Sequence, residues 1–269
     1  MNSTPMDSFT FGDLKGRTLL ITGITRGIGR ALLPVFLAQG MRIVAVSRGM
    51  EKMEAVRESL GATEEQLRLF ECDLADRESV AATGKLLADS GIPIDGILHN
   101  AAIDPRHWFE KEDDAFWLNV MQINLLAAVS LTRHLLPVLR LSDQGRILFT
   151  GSVISELGGA CLSAYAASKG AILGVIASLA HELEGSGITV NCIIPGAISV
   201  EKEKGDVDQT LISWQSVPRR LTPMDLAAQT CLFLSKWGGG ISGQAITIDG
   251  GLIHPLASVA IQGRLLPPK

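Results

Sequence analysis

Seven short apolar runs alternate with longer amphipathic stretches along this 269-residue chain, and no other feature constrains its fold as tightly. The runs are Thr18–Thr22, Ile43–Val46, Leu67–Cys72, Ile97–His99, Arg146–Thr150, Thr189–Ile194 and Ala245–Ile248. Several are apolar on successive residues, the pattern of strands covered on both faces. Between them, Ile28–Gln39, Glu51–Leu60, Arg77–Asp89, Asp114–Leu139, Ala164–Glu184 and Pro223–Leu234 read as helices. Strand–helix alternation repeated this often predicts an α/β fold, a parallel sheet of about seven strands flanked by helices on both faces, with right-handed crossovers. Pro34 falls inside the first helix, cannot bond the carbonyl of Arg30, and at a cost of about 3 kcal/mol predicts a kink.

No proline- or serine-rich linker and no repeat interrupts the alternation, so residues 1–269 read as one domain. Residues 1–15 are expected to be an N-terminal appendage, 199–217 a substrate lid outside the sheet, and 252–269 a C-terminal tail. A 46% hydrophobic composition with a net charge of -4 excludes a disordered chain. A pI of about 5.8 offers no basic footprint for nucleic acid. No run reaches the ~18 apolar residues of a membrane span, so no membrane partner is expected. The N-terminal stretch Met1 to Phe11 lacks the basic and apolar regions of a signal peptide. Cys72, Cys161, Cys192 and Cys231 are scattered without CxxC spacing, which predicts reduced thiols in a cytoplasmic protein. None of the five histidines is spaced with a second ligand, so no metal is predicted.

Thr22-Gly23-Ile24-Thr25-Arg26-Gly27-Ile28-Gly29 follows the first strand and opens the first helix. Glycines let the backbone turn tightly and approach a ligand, and free N–H groups at the helix start attract a pyrophosphate. In this strand-to-helix context the loop predicts a bound dinucleotide. The second strand ends Val46-Ser47-Arg48, without the acidic side chain that takes the ribose 2′-hydroxyl of NAD. Arg48, with Ser47 and the nearby Arg26, suits a 2′-phosphate instead, so NADP(H) is expected over NAD(H).

Tyr165 and Lys169 stand four residues apart, on one face of a predicted helix, and Tyr165 is the chain's single tyrosine. A nearby ammonium favours a phenolate and lowers a pKa of about 10, which fits Tyr165 for general acid–base work. Ser152 lies at the carboxyl end of a predicted strand, where ligands bind in open α/β sheets. Its hydroxyl can orient a carbonyl or cap the turn.

Taken together, these residues resemble the short-chain dehydrogenase/reductase family in its compact single-domain form, from about Leu14 to Gly251. The resemblance implies a Rossmann-like doubly wound sheet. Thr22–Gly29 matches the family's TGxxxGxG, with Thr22, Gly23, Thr25, Arg26, Gly27, Ile28 and Gly29 on the cofactor side. Asp73, followed by Leu74, matches the adenine-contacting aspartate. His99-Asn100-Ala101-Ala102 matches NNAG with His99 for the first asparagine and Ala102 for the glycine. Asn124, Ser152, Tyr165 and Lys169 match the catalytic tetrad. Pro195-Gly196 resembles the turn beside the nicotinamide. Val200 replaces a frequent threonine there, leaving Ser199 or backbone groups such as that of Ile198 to hold the amide. Asp249-Gly250-Gly251 resembles a C-terminal signature near a subunit interface, and a homotetramer is implied. The implied reaction is hydride transfer between NAD(P) and a secondary alcohol or carbonyl. Tyr165 moves the proton, Lys169 lowers its pKa and holds the ribose, Ser152 positions the substrate oxygen, and Asn124 supports a proton-relaying water.

For the substrate, Glu156 and His107 are candidates to bind a sugar or polyol, and Trp214 to close over it with the 199–217 segment. A 3-oxoacyl thioester is the alternative substrate. A catalytically silent NADP(H)-binding regulator is the alternative outside enzymes, disfavoured because all four tetrad residues are present.

Overall fold

The computed structural model describes residues 10–199 and 212–253. Seven parallel strands form one sheet: β1 (Thr18–Thr22), β2 (Arg42–Ser47), β3 (Leu67–Glu71), β4 (Gly96–His99), β5 (Arg146–Thr150), β6 (Thr189–Pro195) and β7 (Ala245–Ile248). Their order is β3-β2-β1-β4-β5-β6-β7. The central strands β1, β4, β5 and β6 are buried at every residue, which is why their sequences are apolar without alternation. The edge strands β3 and β7 are partly exposed.

Helices cover both faces. On one, α1 (Gly27–Ala38), α2 (Met50–Leu60) and α8 (Met224–Leu234) bury Leu32, Phe36, Met53 and Cys231 against the sheet. On the other, α3 (Arg77–Asp89), α5 (Ala127–Leu139) and α7 (Ser163–Glu182) bury Val80, Leu131, Leu135 and Ile172. A short α6 (Ile154–Leu157) precedes α7. The chain stays helical through Pro34, so the predicted kink does not end α1. Leu32, Leu33, Val35 and Phe36 are all buried there, and such burial at about 1.5–3 kcal/mol per side chain exceeds the proline's cost.

Two features position the site. The strand order reverses at β1, which pairs with β2 on one side and β4 on the other, so the loops after β1 and β4 diverge and leave a crevice at the carboxyl edge. The predicted helix 114–139 is three pieces: α4 (Asp114–Met121), a π-helical turn Gln122–Leu126, and α5. Most of the predicted lid and tail, including Val200, lies outside the described residues.

Candidate active site

The crevice is a cleft of about 630 Å³. At its centre the β1 and β4 loops touch because both lack bulk. Gly23 has φ +75, and a Cβ on it would stand 2.8 Å from the Ala101 Cα. A Cβ on Gly29 would stand 2.3 Å from the Gly23 carbonyl oxygen and 2.5 Å from Asn100 Nδ2. Asn100 clamps the two loops: its Nδ2 donates to the carbonyls of Thr22 (3.2 Å) and Gly23 (3.1 Å). The Thr22 hydroxyl accepts from the backbone N–H groups of Asn100 (3.1 Å) and Ala101 (3.0 Å). Thr22 and Gly29 therefore build the loop from beneath, while Thr25, Arg26, Gly27 and Ile28 line the cleft.

Gly27 has φ +65 and open space where a Cβ would be, and no side chain caps the first turn of α1. A helix start of this kind, with room before its N–H groups, fits a pyrophosphate. Ala102, also in the cleft wall, replaces the family's glycine without strain: among the described residues other than glycine, Cys161 alone has positive φ. His99 is buried in β4, its Nε2 2.7 Å from Thr132 Oγ1 and its ring beside Phe149. Burial pushes its pKa down to about 3.

One end of the cleft carries Ser47, Arg48, Asp73 and Leu74, together with Arg26. Arg48 Nη1 lies 3.7 Å from Asp73 Oδ1, and both side chains remain substantially exposed. Lys52, from α2, lines the same end and adds a cation that the sequence reading missed. Its position near the start of a helix after Arg48 was the available signal.

At the other end stand Ser152, Tyr165 and Lys169, with Pro195, Gly196 and Ile198 beside them. Ser152 follows β5, and its Oγ accepts from the Ile154 backbone N–H at 3.2 Å, so the turn cap is real. The same hydroxyl stands near enough to the Tyr165 phenol to favour its ionised form. Burial raises the Tyr165 pKa above its usual 10; the Ser152 contact opposes this and the Asp104 carboxylate adds to it. That corrects the expected lowering by Lys169. The Lys169 ammonium is buried, donates to the Thr150 carbonyl at 2.7 Å, and sits 5.9 Å from the Tyr165 ring centre. Burial lowers its own pKa to about 8, opposed by the adjacent Cys192.

Asn124 is buried in the π-helical turn, and its amide is fully engaged. Nδ2 donates to the Ile103 carbonyl (2.9 Å) and to Ser168 Oγ (3.0 Å), while Oδ1 accepts from the Ile103 N–H (2.8 Å). Gln122, on the same turn, donates to the Leu74 carbonyl at 3.1 Å, so one turn braces both ends of the cleft. Such turns recur at functional sites, and the uninterrupted apolar spacing gave no sign of this one. Ser168 was likewise missed, although it lies inside the Tyr165–Lys169 segment; its hydroxyl donates to the Tyr165 carbonyl at 2.7 Å.

The substrate candidates divide. Trp214 lines a second cavity of about 360 Å³ beside Ser152. Glu156 and His107 line neither cavity: Glu156 is exposed, and the His107 ring stacks on Phe116 at 4.7 Å. Asp249-Gly250-Gly251 buttresses the cleft floor. A Cβ on Gly196 would stand 2.7 Å from the Asp249 Cα, and Gly250 accepts from the Val217 N–H at 2.9 Å.

A family model described as short chain dehydrogenase matches residues 17–210. The chain belongs to the short-chain dehydrogenase/reductase family. It is thus an oxidoreductase of that family, with the family's Rossmann-type sheet. This short-chain dehydrogenase is 32% identical to nodulation protein G of Rhizobium sp. (strain N33) over 243 residues, 89% of this chain and 98% of that one. It is 30% identical to the 3-oxoacyl-[acyl-carrier-protein] reductase FabG of Escherichia coli (strain K12), with the same coverage. Among solved structures, a protein assigned as an NAD(P)-dependent gluconate 5-dehydrogenase from Beutenbergia cavernae, with bound NADP at low occupancy, superposes with TM-score 0.83. That pair shares 29% identity over 90% of this chain and 99% of that one. A blue fluorescent protein from a metagenomic library, in complex with NADPH, superposes with TM-score 0.80 at 27% identity, covering 89% and 99% of the two chains.

Proposed function

We propose that this short-chain dehydrogenase interconverts a carbonyl and a secondary alcohol with NADP(H), using Tyr165 as the general acid–base group. One observation carries the reading: Ser152, Tyr165 and Lys169 line one end of a cleft whose other end holds Arg26, Arg48 and Lys52. Arginine forks suit a 2′-phosphate, and NADP or NADPH is present in two similar structures. When bound, the coenzyme supplies or accepts the hydride. Gly27 and the uncapped start of α1 would hold the pyrophosphate, and Asp73 and Leu74 would border the adenosine.

The chain's own groups supply orientation and the proton. The Ser152 hydroxyl, near the Tyr165 phenol, fixes the substrate oxygen beside it. A phenol held above its usual range keeps its proton at neutral pH, so Tyr165 in this site can donate to a carbonyl oxygen. The buried Lys169 ammonium holds positive charge under the site. Asn124 acts through its three bonds to Ile103 and Ser168, a positioning role beside the water relay that the resemblance implies. The homotetramer implied by the resemblance and the cytoplasmic setting read from the scattered cysteines belong to the same proposal.

The test is coenzyme absorbance with NADPH and NADH in parallel across ketones, 3-oxo esters, sugars and polyols. General acid–base groups contribute about 10²–10⁴-fold, so Tyr165→Phe should lose turnover by that factor while still binding NADPH. Turnover unchanged in Tyr165→Phe would refute the assignment. Tight NADPH binding without turnover of any carbonyl would favour the regulator.

A further inference from the structure

Beside the coenzyme cleft, the second cavity of about 360 Å³ shares Ser152 and Gly196 with it. Among the described residues the rest of its wall is mostly apolar: Val153, Ile154 and Leu157 after β5, Trp214, and Leu252 beyond the Asp249 turn. Among the described residues, no ionisable side chain lines it. Val153 and Leu252 are buried, whereas Leu157 (39% exposed) and Trp214 (46% exposed) present large apolar groups to solvent. Exposed apolar groups gathered at a cavity mark a surface to be covered by ligand.

We propose that the substrate is a neutral ketone or secondary alcohol carrying an apolar alkyl or aryl substituent on the reacting carbon, and that this cavity takes the substituent. The inference rests on the proposed role of Ser152 and Tyr165 as the reacting end. Since Ser152 borders both cavities, an oxygen held by it places one substituent of the same carbon against Val153, Ile154 and Leu157. Among the described side chains here, a sugar or polyol would find only the Ser152 hydroxyl and the Trp214 indole N–H as partners for several buried hydroxyls, and unpaired buried hydroxyls disfavour binding. A substrate carboxylate would meet the Asp104 carboxylate, which lines the cleft and acts on Tyr165. The cations Arg26, Arg48 and Lys52 lie at the far end, and Arg219 is engaged by Asp225. The apolar substituent can arrive on a free ketone or as the acyl chain of a 3-oxo thioester.

The experiment is calorimetric titration of the full-length protein saturated with NADP+, a pairing that cannot turn a ketone over. The ligands are 2-butanone, 2-hexanone and 2-octanone, with xylitol and gluconate alongside on the Tyr165→Phe protein, so that NADP+ does not oxidise these two alcohols. Each methylene leaving water is worth about fourfold in affinity, so each step of two carbons should tighten binding about 16-fold. Leu157→Glu, at an exposed position, should abolish the dependence on chain length, with Trp214→Ala as a second variant and a thermal melt as the check of folding. Equal affinities along the series, or xylitol or gluconate binding more tightly than 2-octanone, would overturn the proposal. Comparing 2-hexanone with the N-acetylcysteamine thioester of 3-oxohexanoate tells which carrier brings the substituent. Turnover of 2-octanone with NADPH, read separately against Tyr165→Phe, tests the proposed function: its failure leaves the binding series intact, and a flat series leaves the hydride chemistry intact.

Discussion

Asn124 Nδ2 donates to Ser168 Oγ at 3.0 Å, joining the π-helical turn to the helix that carries Tyr165 and Lys169. Ser168 passes the connection on by donating to the Tyr165 carbonyl at 2.7 Å. The other two bonds of Asn124 hold both backbone groups of Ile103, in the cleft wall. One amide thus fixes the phenol's helix against the loop that follows β4.

Removing that amide leaves the Ile103 N–H, the Ile103 carbonyl and the Ser168 hydroxyl to find new partners. A buried polar group left unpaired costs about 1–3 kcal/mol. Asn124→Ala should therefore lower unfolding stability in urea by at least that amount. It should also reduce kcat more than it raises KM, since Asn124 is not among the residues that line the cleft. Wild-type stability in the variant would show that the network is incidental.

Gly29 has no room for a methyl group. Its Cβ would meet a backbone carbonyl at 2.3 Å, so the Gly23 turn must move to admit one. Gly29→Ala should weaken NADPH binding more than tenfold. Gly174→Ala, in α7 with nothing within 4 Å of its Cβ, is the control. It should bind NADPH normally and gain up to about 1 kcal/mol of helix stability. Fluorescence titration and urea unfolding read both; equal affinity in the two variants would remove the steric argument.

The sheet and the cleft were largely legible in the sequence because they follow from local rules. Buried parallel strands declare themselves as apolar runs, and the glycine loop must lie between β1 and α1 to work. Ser152, Tyr165 and Lys169 were legible from spacing and family resemblance, and they line one cavity. What escaped depends on tertiary context. The π-helical turn at Gln122–Leu126 arises within continuous apolar spacing, and its purpose shows only when Leu74, Ile103 and Ser168 are in place. The direction of the Tyr165 shift escaped as well. Spacing put an ammonium four residues away, but the fold buries the phenol and turns Lys169 toward the Thr150 carbonyl. Glu156 and His107 were chosen for chemistry alone, and nothing local reported that they line neither cavity.

Arg48 tests the coenzyme preference. Its guanidinium is exposed and held only at 3.7 Å from Asp73, so it can turn to a 2′-phosphate at little cost. A hydrogen bond to a charged group contributes about 1.5–3 kcal/mol, roughly 10–150-fold in affinity. Arg48→Ala should weaken NADPH by that factor and leave NADH nearly unchanged, measured by fluorescence titration of both. Parallel losses would mean that Arg48 acts on features the two coenzymes share.

His99 predicts how the fold responds to acid. In the folded protein burial pushes its pKa down to about 3 from the ordinary 6.5, because it disfavours the imidazolium. Between those values the unfolded chain binds the extra proton and the folded chain does not, so stability falls as pH drops below about 6.5. At 1.36 kcal/mol per pH unit, acidifying from pH 7 to pH 5 should remove about 2 kcal/mol through this one side chain. Asparagine, which the family pattern places here, carries no titrating group. His99→Asn should therefore flatten the pH 7-to-5 difference in urea unfolding by about that amount, whatever its stability at pH 7. An unchanged difference would assign the acid sensitivity to other groups and imply that the His99 ring is already protonated or solvated when folded.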